Sequence, residues 1–241
     1  MTARLAALVA AAGSGSRAGL PYPKTLYPVR GRPILLHLIE RLAAHDPQPT
    51  VIVSPTGQAA IAQALHAEGR VAQLLVQERP TGMGDAVLAF RRSLAFAPEV
   101  DVLLAWGDIP LLGAATIAAL VTQHRAAGND FTFVSRPVDV SYTRVARDAA
   151  GRVIALEETR ELEVKPTPGE RDIGLFLFRA GPILDLLDRH RASGMGRATG
   201  EHGFLYVVAH AAAAGLKVEA LPIATEEDCL SLNRLSDLDG V

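Results

Sequence analysis

The residues best suited to chemistry stand near the start of the chain, in Gly13-Ser14-Gly15-Ser16-Arg17 followed by Pro23-Lys24. Glycines let backbone N–H groups close around phosphate oxygens. Arg17 offers phosphate a planar fork, and Lys24 a mobile point charge. Pro23 stiffens the chain just before that lysine. The set reads as a phosphate-binding loop for a nucleoside triphosphate. The bland alternative is a solvated glycine turn with two surface cations, and a lone Gly-x-Gly would carry no more than that.

Two familiar loop designs are excluded. Gly13-x-Gly15-x-x-Ala18 formally matches a dinucleotide fingerprint, but Pro21 and Pro23 fall where its helix should run. The second strand ends in Val53-Ser54-Pro55, without the carboxylate that would bind ribose. The chain also has no Gly-x-x-x-x-Gly-Lys-Ser/Thr. Two further loops carry glycine, Thr81-Gly82-Met83-Gly84 and Trp106-Gly107-Asp108-Ile109-Pro110. Asp108 reads either as a functional carboxylate or as a helix N-cap. The seven histidines show no His-Glu-x-x-His spacing, and no Gly-x-Ser-x-Gly elbow is present. Cys229, the single cysteine, reads as structural and implies a reducing compartment, taken as the cytoplasm. Trp106 reads as packing.

The elements that must position these loops alternate. Apolar strands are predicted over Leu5–Ala10, Thr50–Ser54, Val71–Gln77, Val100–Ala105 and Phe131–Ser135. Helices are predicted from Pro33, with Ile34, Leu35, Leu38, Ile39 and Leu42 on one face, and over 58–67, 85–95 and 114–126. Such alternation implies βαβ units and a largely parallel sheet, with ligands at the carboxyl ends of its strands. All three glycine loops follow strands directly, so they should meet at one edge. After about residue 140 the rhythm changes. Strands at Tyr142–Ala146 and Arg152–Glu157 flank a hairpin turn at 148–151. A strand over Asp172–Arg179, a helix over Pro182–Arg191, a Gly-rich loop over 193–203, a helix over Phe204–Ala214 and a strand over Lys217–Ile223 follow.

With 241 residues, 49% of them apolar, the chain can bury a core without staples. A charged fraction of 21% excludes intrinsic disorder, and a net charge of -2 speaks against a generally basic nucleic-acid binder. The N-terminal run resembles a signal peptide, but it is short, alanine-rich and leads straight into the glycine loop. No stretch of ~18 uncharged apolar residues suggests a membrane span. The expected organisation is one domain over 1–241, with about 1–140 for nucleotide and about 141–241 for an acceptor lobe.

Leu8-Val9-Ala10-Ala11-Ala12-Gly13-Ser14-Gly15-Ser16-Arg17, Pro23-Lys24-Thr25-Leu26 and Pro28-Val29-x-Gly31-Arg32-Pro33-Ile34-Leu35 together resemble the signature of sugar-1-phosphate nucleotidyltransferases. The likeness is greatest to the uridyltransferase domain of bacterial N-acetylglucosamine-1-phosphate uridyltransferases. It continues through Gln77, Gly82-x-Gly84-x-Ala86-Val87 and Gly107-Asp108-x-Pro110-Leu111. It reappears at Tyr142-x-Arg144-Val145, Gly151-Arg152-Val153 and Leu232-Asn233-Arg234.

The resemblance implies an α/β fold: a Rossmann-like mixed, mainly parallel sheet flanked by helices, with a small acceptor-binding β lobe. It implies that a sugar 1-phosphate attacks a nucleoside triphosphate, UTP favoured, and releases pyrophosphate. Arg17 would hold the β- and γ-phosphates and Lys24 the α-phosphate. Backbone at Ala11, Ala12, Gly13 and Gly15, with Gln77 and Gly82, would contact the nucleotide. Asp108 and Asn233 would hold Mg²⁺, a hard cation that leaves sites for phosphate oxygens. Thr143, Glu158 and Asp172 would face the acceptor, with Glu157 an alternative to Glu158 on the opposite strand face.

The family's Asn-x-Gly is here Asp172-Ile173-Gly174, and Thr143 stands where a glycine is expected. Met83 and Asp85 replace Thr and His. Two alternatives therefore stay open. One is cytidylyl or guanylyl transfer to a non-sugar phosphate such as phosphocholine or molybdopterin. The other is a catalytically silent nucleotide-binding regulator. The sequence ends at Val241, soon after Asn233, so the acetyltransferase that follows this domain in bifunctional relatives is not expected.

Overall fold

The computed structural model describes residues 4–13, 15, 19–159, 161 and 165–238. Strand β1 (Leu5–Ala10) is followed by a 3-10 turn at Lys24–Leu26 and a two-rung hairpin of β2 (Pro28–Val29) and β3 (Arg32–Pro33). Then come α1 (Ile34–Leu42), β4 (Thr50–Val53), α2 (Gln58–Ala67), β5 (Gln73–Val76), α3 (Met83–Leu88) and β6 (Asp101–Trp106). They are followed by α4 (Ala114–Ala127), β7 (Phe131–Ser141), β8 (Thr143–Arg147), β9 (Val153–Glu158) and β10 (Thr167–Arg179). The last elements are α5 (Ala180–Arg189), α6 (Val207–Ala213) and β11 (Val218–Leu221).

Seven strands form one mixed sheet in the order β11-β7-β10-β6-β1-β4-β5. Strands β6, β1, β4 and β5 run parallel, as their crossover helices require. Strand β10 is antiparallel to both β6 and β7, and β11 is parallel to β7. The small pair β8–β9 stands apart as an antiparallel hairpin.

Strand periodicity divides the core. Ala7, Val9, Leu103 and Ala105 face one side, where α1 lays Ile34, Leu35, Leu38, Ile39 and Leu42 against them. Ala6, Leu8, Val102 and Leu104 face the other, toward an aromatic cluster. In that cluster Phe131 stacks on Phe178 at 5.6 Å, and Phe176 meets Trp106 edge-on at 5.6 Å and Phe204 at 5.3 Å.

Several elements differ from expectation. Pro33 is extended (φ -52°, ψ 138°) and caps α1 instead of opening it. The helix expected over 85–95 tightens to a 3-10 turn at Ala89–Arg92, and the one expected from Phe204 begins at Val207. Strands β7 and β10 are much longer than their apolar segments. Their polar ends pair as a ribbon, with Glu170 opposite Pro137 and Arg171 opposite Arg136, and bend through a register shift between Asp172 and Phe176. No helix among the described residues is long and apolar enough to cross a membrane.

Candidate active site

Because β1, β4, β5 and β6 are parallel, their carboxyl ends lie together, with Ala10 opposite Trp106 and Ile52. The loops leaving them surround a cavity of about 1150 Å³, larger than is usual for one small ligand. Gly13, Gly15, Lys24, Asp108 and Asn233 line it at the strand ends, and Gln77 and Gly82 line it beyond β5. Glu157 and Glu158 of β9 and the 193–203 loop close the opposite wall.

Lys24 is set by its turn: Leu26 N–H donates to Pro23 O (2.9 Å) and Tyr27 N–H to Lys24 O (3.0 Å). The Lys24 ammonium forms an ion pair with Asp108 Oδ2 and also reaches Leu232 O at 3.3 Å. Leu232 N–H in turn donates to Asp108 O (2.9 Å). The C-terminal segment is thereby laid across the loop after β6, which delivers Asn233 to the same cavity. Asn233 also serves a turn, since Asp237 Oδ2 accepts from the N–H groups of Asn233 (3.0 Å) and Arg234 (2.7 Å).

Asp108 is not the cap of the following helix. The carboxylate at the start of α4 is Asp228, fully buried, which accepts from Gly113 N–H (2.6 Å) and Thr116 Oγ1 (2.8 Å). The sequence does not mark Asp228 as this cap, because its partners at the start of α4 lie more than a hundred positions away.

The other expected residues fall in three groups. Arg17 lies outside the described residues. Ala12, Gly13, Gly15, Gln77 and Gly82 line the cavity. Ala11 is buried and its N–H continues the sheet to Ile52 O (2.9 Å). Gln77 Nε2 donates to Gly82 O (2.9 Å), which shapes the loop after β5.

On the acceptor side Glu157 is clasped by Arg144, whose Nε and Nη2 donate to Oε2 at 3.1 and 2.6 Å. Thr143 stands opposite Glu158 in the β8–β9 pair. Thr143 Oγ1 donates to Asp172 Oδ1 (2.7 Å) and Gly174 N–H to Asp172 Oδ2 (2.9 Å), so these two residues satisfy one another away from the cavity lining. Burial pushes the Asp172 carboxyl above its ordinary range against those hydrogen bonds and the Arg171 charge.

One further cluster was not legible beforehand. Asp85 accepts from the fully buried His202 ring and from Arg191, and His202 also reaches Tyr206. Burial tends to raise the Asp85 carboxyl, but hydrogen bonds from Thr81 and His202 and the Arg191 charge hold it below its ordinary range.

Parallel strands that deliver a phosphate-suited loop and a lysine–aspartate pair to one crevice define a nucleotidyltransferase. The family model described as the MobA-like NTP transferase domain matches residues 7–211, and the chain belongs to that family. It is 31% identical over 223 residues to the bifunctional protein GlmU of Leifsonia xyli subsp. xyli, covering 91% of this chain and 45% of that one. To GlmU of Pelotomaculum thermopropionicum it is 33% identical over 237 residues, 95% of this chain and 49% of that one. The chain thus spans about half the length of the curated relatives it matches.

Among solved structures, a Bacillus anthracis protein described as a glucose-1-phosphate thymidylyltransferase, in complex with sucrose, superposes with a TM-score of 0.77 at 14% identity. The match covers 98% of this chain and 92% of that one. The inositol-1-phosphate CTP transferase of T. maritima superposes with a TM-score of 0.69 at 15% identity, covering 92% and 86%. At such identities the likeness is one of fold.

Proposed function

We propose that the chain transfers a nucleotidyl group from a nucleoside triphosphate, UTP favoured, to a sugar 1-phosphate and releases pyrophosphate, with Mg²⁺ as cofactor. The observation that carries this reading is the Lys24–Asp108 pair at the head of the cavity, with Asn233 beside it. The chain then acts as one domain: residues to about 140 bind nucleotide and the remainder form the acceptor lobe. A reducing, cytoplasmic setting suits its single cysteine.

In the reaction a phosphate oxygen of the acceptor attacks the α-phosphorus. A new P–O bond forms, the α–β bridging P–O bond breaks, and pyrophosphate leaves with the electron pair. The attacking oxygen is already anionic, so no base has to remove a proton. The protein's task is to align two anions and neutralise the charge between them. Lys24 turns from Asp108 to the α-phosphate, Arg17 takes the β- and γ-phosphates, and backbone N–H groups around Ala12, Gly13 and Gly15 line the triphosphate. Ala11, Gln77 and Gly82 frame the base. Glu158 takes acceptor hydroxyls, while Thr143 and Asp172 brace that side of the lobe.

The carboxylate of Asp108 and the amide oxygen of Asn233 are hard donors in one cavity, a donor set suited to Mg²⁺. These two residues would hold the ion, which when bound supplies positive charge to the phosphates.

The test is pyrophosphate release across a panel of triphosphates and sugar 1-phosphates with Mg²⁺. Turnover is expected only when both substrates are present. Folded protein that turns over no pair overturns the reading.

A specific observation favours a second acceptor class. Thr143 and Asp172 bond to each other instead of lining the cavity, which suits cytidylyl or guanylyl transfer to phosphocholine or molybdopterin. A thermal-shift screen separates the two, since a bound acceptor at 100 times its Kd stabilises by about 2.7 kcal/mol. Triphosphate binding without turnover would instead mark a silent regulator.

A further inference from the structure

One buried residue fastens the loop after β5 to the far wall of the cavity. His202 has no exposed surface. Its N–H donates to Thr81 O (2.8 Å) and its carbonyl accepts from Gly84 N–H (2.8 Å). The approach requires glycine: a Cβ at position 84 would lie 2.3 Å from Gly203 O and 2.7 Å from the His202 ring. The ring itself spans two elements, with Nδ1 2.8 Å from Asp85 Oδ1 and Nε2 2.9 Å from Tyr206 Oη. Asp85 Oδ2 accepts from Arg191 (2.7 Å), and the Tyr206 hydroxyl donates to Leu187 O.

The hydrogen bonds fix the protons. Tyr206 has a single hydroxyl proton, which goes to Leu187 O. Burial pushes this phenol up to about 12, against Arg191 and with Asp188 and Asp85, so the proton stays on it. Toward His202 the phenol oxygen can only accept, and Nε2 must donate. The Asp85 carboxylate is acceptor-only, so Nδ1 must donate as well. His202 therefore carries both ring protons, with Asp85 as its counter-charge. A charge-assisted bond of this kind is stronger than a neutral one.

We propose that His202, as an imidazolium held between Asp85 and Tyr206, is a positioning residue for nucleotide binding. It holds the Thr81–Gly84 backbone against the 193–203 loop and presents the base with a preformed edge. The inference rests on the reading that Gln77 and Gly82 face the base. A preformed edge lowers the ordering cost of binding, so its loss should act on triphosphate affinity more than on the chemical step.

The experiment compares the full chain with its His202→Phe and Tyr206→Phe variants. It measures UTP affinity by calorimetry and, where turnover exists, KM and kcat. His202→Phe should weaken UTP binding about tenfold or more and leave kcat within about twofold. Tyr206→Phe should act in the same direction with smaller size. Unchanged UTP affinity, or a fall in kcat alone, overturns the proposal.

Should His202→Phe fail to fold, ¹⁵N-edited spectra of the unaltered protein decide. Two ring N–H protons on His202 at neutral pH support the proposal, and one overturns it. Protein that binds UTP without turnover overturns the functional reading alone, while the affinity comparison still tests His202. Protein that binds no triphosphate overturns both.

Discussion

Lys24 and Asp108, 84 positions apart in sequence, form an ion pair at the mouth of the cavity, with side chains only 23% and 16% exposed. In the proposed function each meets a different charge, phosphate for the lysine and a divalent cation for the aspartate. In the protein alone they neutralise each other, which offsets part of the cost of holding two charges in a half-buried crevice. On the proposed function, binding exchanges this pair for two new ones.

That exchange predicts opposite effects of one substitution. Asp108→Asn removes both the competitor for Lys24 and a negative charge next to the phosphates. Without divalent cation its affinity for UTP should rise several-fold over the unaltered protein, measured by calorimetry. With Mg²⁺ present, pyrophosphate release should fall by about a hundredfold or more, the scale of removing one charge-stabilising group. A variant weaker in UTP binding under both conditions would refute the competition.

Gly174 links the acceptor lobe to the cavity wall. Its φ is +82°, and a Cβ there would lie 1.6 Å from Trp106 Cδ1. Gly174→Ala should cost about 2–4 kcal/mol through overpacking and left-handed strain. It should also displace the ring of Trp106, the chain's single tryptophan. Urea unfolding followed by tryptophan emission reads both effects, and unchanged stability would contradict the close approach.

The local and periodic features were readable in the sequence. Helix α2 occupies 58–67 and α4 begins at Ala114 as the apolar spacing requires, and the strand-end loops converge because parallel topology compels it. What was not readable depends on distant partners. The polar ends of β7 and β10 look like loop until each supplies the other's ladder. Pro33 looks like a first helical residue, but it is already committed to pairing with Pro28. His202 is one of seven histidines until the fold sets it between Asp85 and Tyr206. Thr143 and Asp172 carry the chemistry expected of acceptor contacts, yet tertiary packing turns them toward each other.

Asp172 gives a pH-dependent prediction. Burial raises its carboxyl above the ordinary 3.8 in the folded protein. Between 3.8 and the raised value the folded state holds a proton that the unfolded chain has lost. Its contribution to stability is therefore present at low pH and declines as pH rises through that window. Asp172→Asn carries no such titration and keeps one oxygen to accept from Gly174 or Thr143. The variant should gain stability relative to the unaltered protein as pH rises from about 4 toward neutral, measured by denaturant unfolding at several pH values. A constant difference across that range would sink the assignment.

Asp228 titrates with the opposite sign. Burial alone would raise it, but N–H groups of Gly113 and Thr225 and the hydroxyls of Thr116 and Thr225 hold it below the ordinary 3.8. Its stabilising effect is complete above 3.8 and is lost as pH falls through the lowered folded value. The four donors belong to the start of α4 and to the segment leading to Asn233, so one carboxylate ties the helix to the closing strand of chain. Asp228→Asn offers one oxygen to these donors and should cost about 2–4 kcal/mol at neutral pH. The deficit should shrink in acid, where the native carboxylate is itself protonated. Because the same tie helps carry Leu232 to Asp108, the variant should also bind UTP less tightly than the unaltered protein when Mg²⁺ is present. Stability that is lost equally at neutral and acid pH would show that shape, and not charge, is what position 228 supplies.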